Sequence, residues 1–353
     1  MRADPPLPLV FTTAQAISRG VTRHQVASRA RSGRWTRLRH GVFCAAQAWA
    51  RADRRERHAL QAMAAVLSRS EAGVVSHLSA ATLYGWPLPL GDLGEVSLTA
   101  ATTEEATRRL DGLVVQVAGL SPSDVRRRRG VDVTSPARTV ADCLRHLRTA
   151  DAVAIADHAL ANGEVDPAQL LDVVRRQELW PYAAAAARAL PLVDARRESW
   201  LESWSFVRLW EVGIPLPEPQ VEVFDDDGRF VARVDGVWRR YGTVCEADGR
   251  QKYSDEDDGA VSTEEARRRA AARVVKEKVR EDLIRDTGLE MVRWGTADVA
   301  GALPAVVRRI HGAWRRGDPR RFRGTLRSTP GLPLLTPDRS ASPRTPDSAA
   351  LGE

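Results

Sequence analysis

The stretch "TTAQAISRGVTRHQVASRARSGRWTRLRHGVF", residues 12 to 43, decides the fold of the N-terminal part of the chain. Two threonines in it are each followed three positions later by glutamine, the capping-box pattern of a helix start. These pairs are Thr12 with Gln15 and Thr22 with Gln25. Gly20 and Gly33 end the two helical segments as left-handed stops, and a short β wing follows between Trp35 and Phe43. The stretch predicts a winged helix-turn-helix domain.

The positive charge of the chain is concentrated in this same region. The 353 residues carry a net charge of +7, whereas residues 1–60 alone contain 12 arginines and 3 acids, a local charge of +9. Residues 19–40 hold seven arginines and no acid. This distribution predicts a polyanionic partner, and double-stranded DNA is the expected one. The alternative is an arginine-rich surface that reflects only a GC-rich genome.

The second predicted helix supplies the side chains for base recognition. Val26 and Ala30 lie one turn apart and face inward, so the polar residues between them point outward. Arginine reads guanine edges in the major groove and glutamine reads adenine, while arginines of the wing contact phosphates. The predicted DNA-binding residues are Arg23, Gln25, Ser28 and Arg29 on the helix and Arg34, Arg37 and Arg39 in the wing.

Helix-capping residues, turn residues and composition divide the chain into domains. We expect a multidomain α/β protein in which a winged helix-turn-helix domain occupies residues 1–55. A mixed α+β domain follows at 56–192 and a second α/β domain at 193–323. The five prolines after residue 324 predict a disordered tail over 324–353.

Two functional classes are excluded by the composition. The three cysteines lack metal or disulfide spacing, which indicates reduced core thiols. The longest apolar stretch falls far short of the roughly 20 residues that a bilayer requires, and the N-terminus lacks the apolar core of a secretory signal. We therefore expect a cytoplasmic protein with no membrane partner.

A second functional stretch is "RVDGVWRRYGTVCEADGRQKY", residues 233–253. Glu246 and Asp248 project to the same side of one strand, and Asp235 at the end of the preceding strand can lie beside them. Three such carboxylates predict a site for Mg²⁺ or Mn²⁺, which would activate water, with Lys252 stabilising the developing charge. The alternative is a solvated strand face whose acids have no function.

The order Asp235, then Glu246, Asp248 and a glycine resembles the active-site signature of the PD-(D/E)XK nuclease fold in its very-short-patch-repair endonuclease-like branch. This resemblance spans about residues 195–312 and implies a restriction-endonuclease-like α/β domain in which Glu202 supplies an additional catalytic acid. The common pattern has a lysine where this chain has Asp248. Either Lys252 substitutes for that lysine, or the domain has lost catalysis.

The N-terminal stretch is similar to the winged-helix domain of AbiEi-type antitoxins, the DNA-binding half of type IV toxin-antitoxin and phage-abortive systems. The segments "SHLSAATLYGW" and "TSPARTVADCL" extend the similarity to about residue 190. The resemblance implies transcriptional autoregulation and a cognate toxin as a partner.

These observations support two functions, with a third left open. The first is a metal-dependent DNA endonuclease of phage defence. The second is an AbiEi-like transcriptional regulator whose nuclease-like domain is catalytically inert. The third is an interaction scaffold in which the nuclease-like region mediates assembly.

Overall fold

A computed structural model of the chain describes residues 6–68, 73–100, 107–110, 112–249 and 263–331, with the backbone alone for residue 110 and residues 263–274. The chain divides into two compact units. The first comprises Met1–Ile155 with Asn162–Ala186, and the second comprises Ala156–Ala161 with Ala187–Glu353.

The first unit begins with the predicted winged helix. Both capping boxes are confirmed, because each threonine hydroxyl accepts from the backbone N–H of its glutamine while the glutamine side chain accepts from the threonine N–H. The three strands form an antiparallel sheet in the order β1-β3-β2. The elements are β1 Val10–Thr12, α1 Thr13–Ser18, α2 Arg23–Arg31, β2 Trp35–Arg39 and β3 Val42–Ala45.

The core of the winged helix is aromatic. The ring of Phe11 meets that of Trp35 edge-on at 4.7 Å, and Phe43 stacks on Phe11 at 6.3 Å. On the other face of the strands, Val10 and Val42 belong to a core shared with the following long helix, α4 Arg54–Leu67. The predicted domain boundary at residue 55 therefore falls inside one compact unit, because the strands of the wing pack directly on that helix.

The remainder of the first unit is a mixed α+β fold. Its six-stranded sheet has the order β6-β7-β5-β4-β9-β8, and within it the pairs β5–β7 and β4–β9 are parallel. The predicted helix start at Ser135, followed by Pro136, is confirmed. The remaining elements between Ala46 and Ala189 are α3 Ala46–Arg51, β4 Val74–Val75, α5 His77–Tyr84, β5 Val96–Ala100, β6 Arg108–Leu110, β7 Leu113–Val117, β8 Val125–Arg128, β9 Val131–Thr134, α6 Pro136–His146, α7 Thr149–Ala161, α8 Pro167–Arg176 and α9 Ala183–Ala189. The last residues of α7 and of α9 are counted with the second unit.

The second unit is built on a five-stranded sheet of order β13-β12-β11-β10-β14. Its neighbours are antiparallel except β12 and β13, which are parallel. The strand predicted to be interior, β12, is confirmed between β11 and β13. The elements are α10 Trp200–Trp210, β10 Glu218–Phe224, β11 Phe230–Trp238, β12 Thr243–Ala247, α11 Thr263–Asp286, β13 Glu290–Trp294, α12 Thr296–Gly301, α13 Leu303–Arg316 and β14 Thr325–Ser328.

The prediction of a disordered tail from residue 324 is wrong at its start. Strand β14 pairs antiparallel with β10, from Val221 opposite Ser328 to Phe224 opposite Thr325. Gly324 has a φ of +137° and lies against the backbone of Phe224, where no side chain would fit. The edge of β10 thus holds a segment that proline content alone suggested was unstructured. Residues 332–353 lie outside the described part of the chain.

Candidate functional site

The exposed face of α2 is the first candidate surface. At 100° per residue, the side chains that face away from Val26 span an arc of roughly 160° on this helix. This arc contains two residues of the prediction and three that the prediction missed. Its exposed members are His24, Gln25, Ala27, Ser28 and Arg31, and Arg23, about 60° from Val26 in the first turn, is exposed as well. The helical wheel that places Val26 inside would have identified all five.

Two residues assigned to base reading have other contacts. The Oε1 atom of Gln25 accepts the N–H of Thr22 at 2.9 Å, so the oxygen needed for a bidentate contact to adenine is occupied by the helix cap. The guanidinium of Arg29 lies 5.2 Å from the ring centroid of Trp35, and the side chain is half-buried. The outward orientation predicted for Arg29 is therefore wrong, because the side chain packs over the core tryptophan.

The wing presents its arginines unequally. Arg37 is exposed, and its guanidinium lies 3.4 Å from Nδ1 of His40 at the tip of the hairpin. Arg34 and Arg39 are half-buried and engaged in interactions within the chain. A phosphate contact from the wing is therefore best supplied by Arg37.

The second candidate site is a polar row across the sheet of the second unit. The register pairs Gly236 with Cys245, and its continuation places Asp235 opposite Glu246. Glu246 in turn pairs with Arg293 on β13. On the other side, Gln220 falls between the pairs Pro219–Gly236 and Val221–Val234, which places it opposite Asp235. The strand register thus brings Gln220, Asp235, Glu246 and Arg293 into one row.

Two helices add acidic and basic side chains to this row. Glu202 on α10 accepts a hydrogen bond from Nε2 of Gln220 at 2.8 Å. From α11, Arg280 approaches Glu246 to 2.5 Å, and Glu277 contacts Arg293. Arg293 itself lies 2.6 Å from Glu246. The prediction from sequence identified the acids but missed both arginines.

Asp235 has the most perturbed carboxyl group of the row. Burial raises the pKa of Asp235 to about 7, and the negative charge of Glu202 adds to this effect. A hydrogen bond of 2.8 Å from the backbone N–H of Ala247 acts in the opposite direction, and Glu246 raises the pKa further. Acids held close enough to oppose each other's ionisation are characteristic of sites that act on protons or cations.

The described side chains do not form the predicted three-carboxylate metal site. Asp248 follows the end of β12, and its backbone N–H donates to the carbonyl of Trp294 at 2.8 Å. In the described ranges, no group of three or more His, Cys, Asp or Glu residues is arranged to hold a metal ion. Glu246 is instead paired with Arg280 and Arg293. Lys252 lies outside the described residues.

Gln220 holds an unusual backbone conformation within the row. Its φ is +53°, in the left-handed region, although it is neither glycine nor asparagine. The side chain is 3% exposed and directs its amide onto Glu202. Strain at a buried polar residue is typical of functional sites, and nothing in the sequence indicated it.

Comparison with known proteins supports the assignment of the N-terminal segment. Residues 10–46 match the family described as "Transcriptional regulator, AbiEi antitoxin". These residues span the winged helix from β1 to just past β3. Sequence comparison with the AbiEi antitoxins thus supports the predicted resemblance over this segment.

Longer but weaker similarity is found to proteins of Mycobacterium tuberculosis. The uncharacterized proteins MT2308 of strain CDC 1551 / Oshkosh and Rv2248 of strain ATCC 25618 / H37Rv are each 27% identical over 219 residues. The aligned part is 62% of this chain and 75% of each relative. The crystal structure of the RV2827C protein from the same species shares 17% identity and a TM-score of 0.34, over 52% of this chain and 71% of that one. That similarity is too low to show a shared fold.

None of the helices in the described part of the chain combines the length and the apolar character needed to cross a bilayer.

Proposed function

We propose that the protein is a DNA-binding transcriptional regulator of the AbiEi antitoxin type. The observation that carries this proposal is the exposed face of α2, where Arg23 and Arg31 flank small and polar residues within a segment that holds no acid. The family match over residues 10–46 supports it independently. By this proposal the partners are double-stranded DNA and a cognate toxin protein.

By this proposal, helix α2 contacts the bases and the wing contacts the phosphates. Helix α2 enters the major groove, where Arg23 and Arg31 reach guanine edges and Ser28 contacts base or phosphate. Arg37 contacts the phosphate backbone from the wing and contributes affinity that falls with salt. Arg29 stabilises the domain through Trp35 and contacts no base.

A footprint over the promoter of the protein's own gene tests this proposal. The wild-type protein should protect a discrete site, and the Arg23→Ala/Arg31→Ala variant should lose that protection. Arg175→Ala serves as the matched control, because Arg175 is an exposed arginine on α8 of the same unit. If the double variant still protected the site, α2 would not be the helix that recognises DNA.

A second candidate function is hydrolysis of phosphodiesters at the polar row of the second unit. The observation that favours it is the cluster of Glu202, Asp235 and Glu246, in which Asp235 has a pKa of about 7. For a nuclease, Asp235, Glu246 and Asp248 would hold Mg²⁺ or Mn²⁺, with Glu202 and Lys252 assisting. The arrangement described above does not fit that ion while two arginines neutralise Glu246, so we derive no catalytic step from it.

Cleavage assays separate the nuclease from an inert domain. Supercoiled plasmid and linear duplex are incubated with the full-length protein and Mg²⁺ or Mn²⁺, alongside the Asp235→Asn and Glu246→Gln variants. Nicking that disappears in both variants supports hydrolysis at the row. Intact DNA with the wild-type protein under both metals, or nicking that persists in the variants, assigns the row a structural role. A role in phage defence is then tested by plating efficiency of phage on cells that carry each variant.

A further inference from the structure

A groove of about 580 Å³ lies beside the edge strand β13, between α11 and α13. Charged side chains dominate its walls, and all but one of them are arginine. They are Glu281, Arg285, Arg293, Arg308, Arg309 and Arg316. None of these residues belongs to the winged helix, and Arg293 alone is shared with the polar row.

Four of the five arginines are paired with acids, but all of these acids except one lie outside the groove walls. Within its walls, only Glu281 is acidic, and it pairs with Arg285 at 2.5 Å. Arg316 pairs with Glu290 at 3.0 Å and Arg309 with Asp298 at 3.4 Å, and neither of these acids lines the groove. In the described part of the chain, Arg308 makes no ion pair. Arg293 is held by the buried Glu246, but Arg285, Arg308, Arg309 and Arg316 can take an anion without leaving a buried acid unpaired.

A glycine in α13 is consistent with an open, anion-accessible groove. Gly312 lies in the interior of this helix and lines the groove, although glycine is unfavourable at interior helical positions. A Cβ at this position would lie 3.5 Å from a guanidinium nitrogen of Arg316, an ordinary contact. Close backbone contacts therefore do not explain the glycine. Its lack of a side chain widens the groove beside the arginines.

From these observations we infer that the groove binds the phosphate backbone of a nucleic acid, separately from the winged helix. Arginine matches phosphate oxygens with a planar pair of donors. Arg309 and Arg316 are seven residues apart, roughly 10 Å along the helix axis, so they can contact different phosphates of one strand. This inference goes beyond the proposed regulator and does not rest on it.

The floor of the groove distinguishes a nucleic acid from a protein ligand. Met291 and Val292, its larger apolar residues, are 7% and 6% exposed, so they offer little apolar surface for a docking helix or peptide. Recognition is left to the arginines, which contact a repeating anionic backbone irrespective of its sequence. Arg293 connects the groove to Glu246, so a bound backbone would lead toward the polar row.

The test uses full-length protein in which the winged-helix arginines assigned to DNA contacts are removed by Arg23→Ala, Arg31→Ala and Arg37→Ala. Binding of a fluorescein-labelled 20-base-pair duplex of random sequence is followed by anisotropy over a series of KCl concentrations. Adding Arg308→Ser and Arg309→Ser should lower the residual affinity about tenfold. It should also reduce the slope of log K against log salt by about 1.8, since each phosphate contact contributes about 0.9.

Two further variants make the result specific to the groove. Arg320→Ser/Arg321→Ser removes the same charge from exposed residues just after α13 that do not line the groove, and it should leave affinity and slope unchanged. Gly312→Leu should weaken binding by filling the groove, whereas Gly312→Ala should bind as before. Circular dichroism melting of each variant confirms that the fold is retained.

Several outcomes would overturn the inference. The first is an absence of residual binding once the winged-helix arginines are removed. The second is an equal loss of affinity in the Arg320→Ser/Arg321→Ser control. The third is competition by poly-glutamate as effective as that by unlabelled duplex at equal charge, which would indicate an acidic polypeptide as the ligand.

Discussion

Arg293 on β13 stands opposite Glu246 on β12 in the parallel register, and its guanidinium lies 2.6 Å from the carboxylate of that residue. Arg280 reaches the same carboxylate from α11. Two arginines therefore supply positive charge to one of the three carboxylates to which the sequence assigned a divalent cation.

Removing Arg293 should destabilise the protein. Glu246 is 7% exposed, and an acid that loses a close partner at low exposure retains the cost of its desolvation. We expect Arg293→Met to lower the free energy of unfolding by about 1–3 kcal/mol, measured by urea denaturation. The double variant Arg293→Met/Glu246→Gln should recover part of the loss, and a purely additive effect would show that the pair is not coupled.

Asp235 should make stability depend on pH. In the unfolded chain its carboxyl ionises near 3.8, whereas the folded protein retains the proton up to about 7. The folded state therefore binds more protons between these values, and the stabilising contribution of this group falls as pH rises through about 7. For one proton the slope is at most about 1.4 kcal/mol per pH unit.

Urea denaturation of wild type and Asp235→Asn between about pH 6.5 and pH 8 isolates this effect. Burial also raises the pKa of Asp157, to about 6, so its contribution of the same sign is largely complete below that window. The variant should show a flatter dependence than the wild type. Parallel curves would mean that Asp235 is already ionised in the folded protein.

Arg29 and Arg31 should separate stability from DNA binding. Arg29 packs over Trp35, so Arg29→Ala should lower the unfolding free energy by about 1 kcal/mol through lost cation–π and packing contacts. Arg31 is exposed, so Arg31→Ala should change stability by less than about 0.5 kcal/mol and weaken specific DNA binding about tenfold. Melting curves and gel-shift titrations measure the two effects, and the reverse pattern would contradict the assigned face of α2.

Gln220 should show strain that glycine relieves. Its φ of +53° is unfavourable for any residue with a Cβ, and its amide supports Glu202. Gln220→Ala loses the hydrogen bond and keeps the strain, whereas Gln220→Gly loses the hydrogen bond alone. We therefore expect the glycine variant to be more stable than the alanine variant by about 1 kcal/mol in urea denaturation. Equal stabilities would indicate that the backbone at this position relaxes on substitution.

Local signals in the sequence predicted local structure well. The two capping boxes, the helix stop at Gly20 and the helix start at Ser135 each depend on residues within one turn of each other, and each is confirmed. The antiparallel pairing of β10 with β11 followed from the turn at Asp227–Gly228. In these segments propensity and tertiary packing favour the same conformation.

Contacts between residues far apart in the chain could not be predicted from local sequence patterns. The approach of Arg293 to Glu246 depends on the parallel register of two strands separated by α11, and no local pattern encodes that register. The orientation of Arg29 depends on Trp35 in the next element, which a helical wheel for α2 alone omits. The acids of the second site were identifiable from their spacing, whereas the charges that neutralise them were not.

Strand β14 has a practical consequence for anyone shortening the chain. A cut at Gly324, where the proline-rich segment begins, would remove the edge strand β14 and leave the amides and carbonyls of β10 that face β14 without partners. Bare strand edges of this kind recruit other chains. Precipitation of such a truncated protein would therefore result from the loss of β14, and it would not indicate that the intact protein is insoluble.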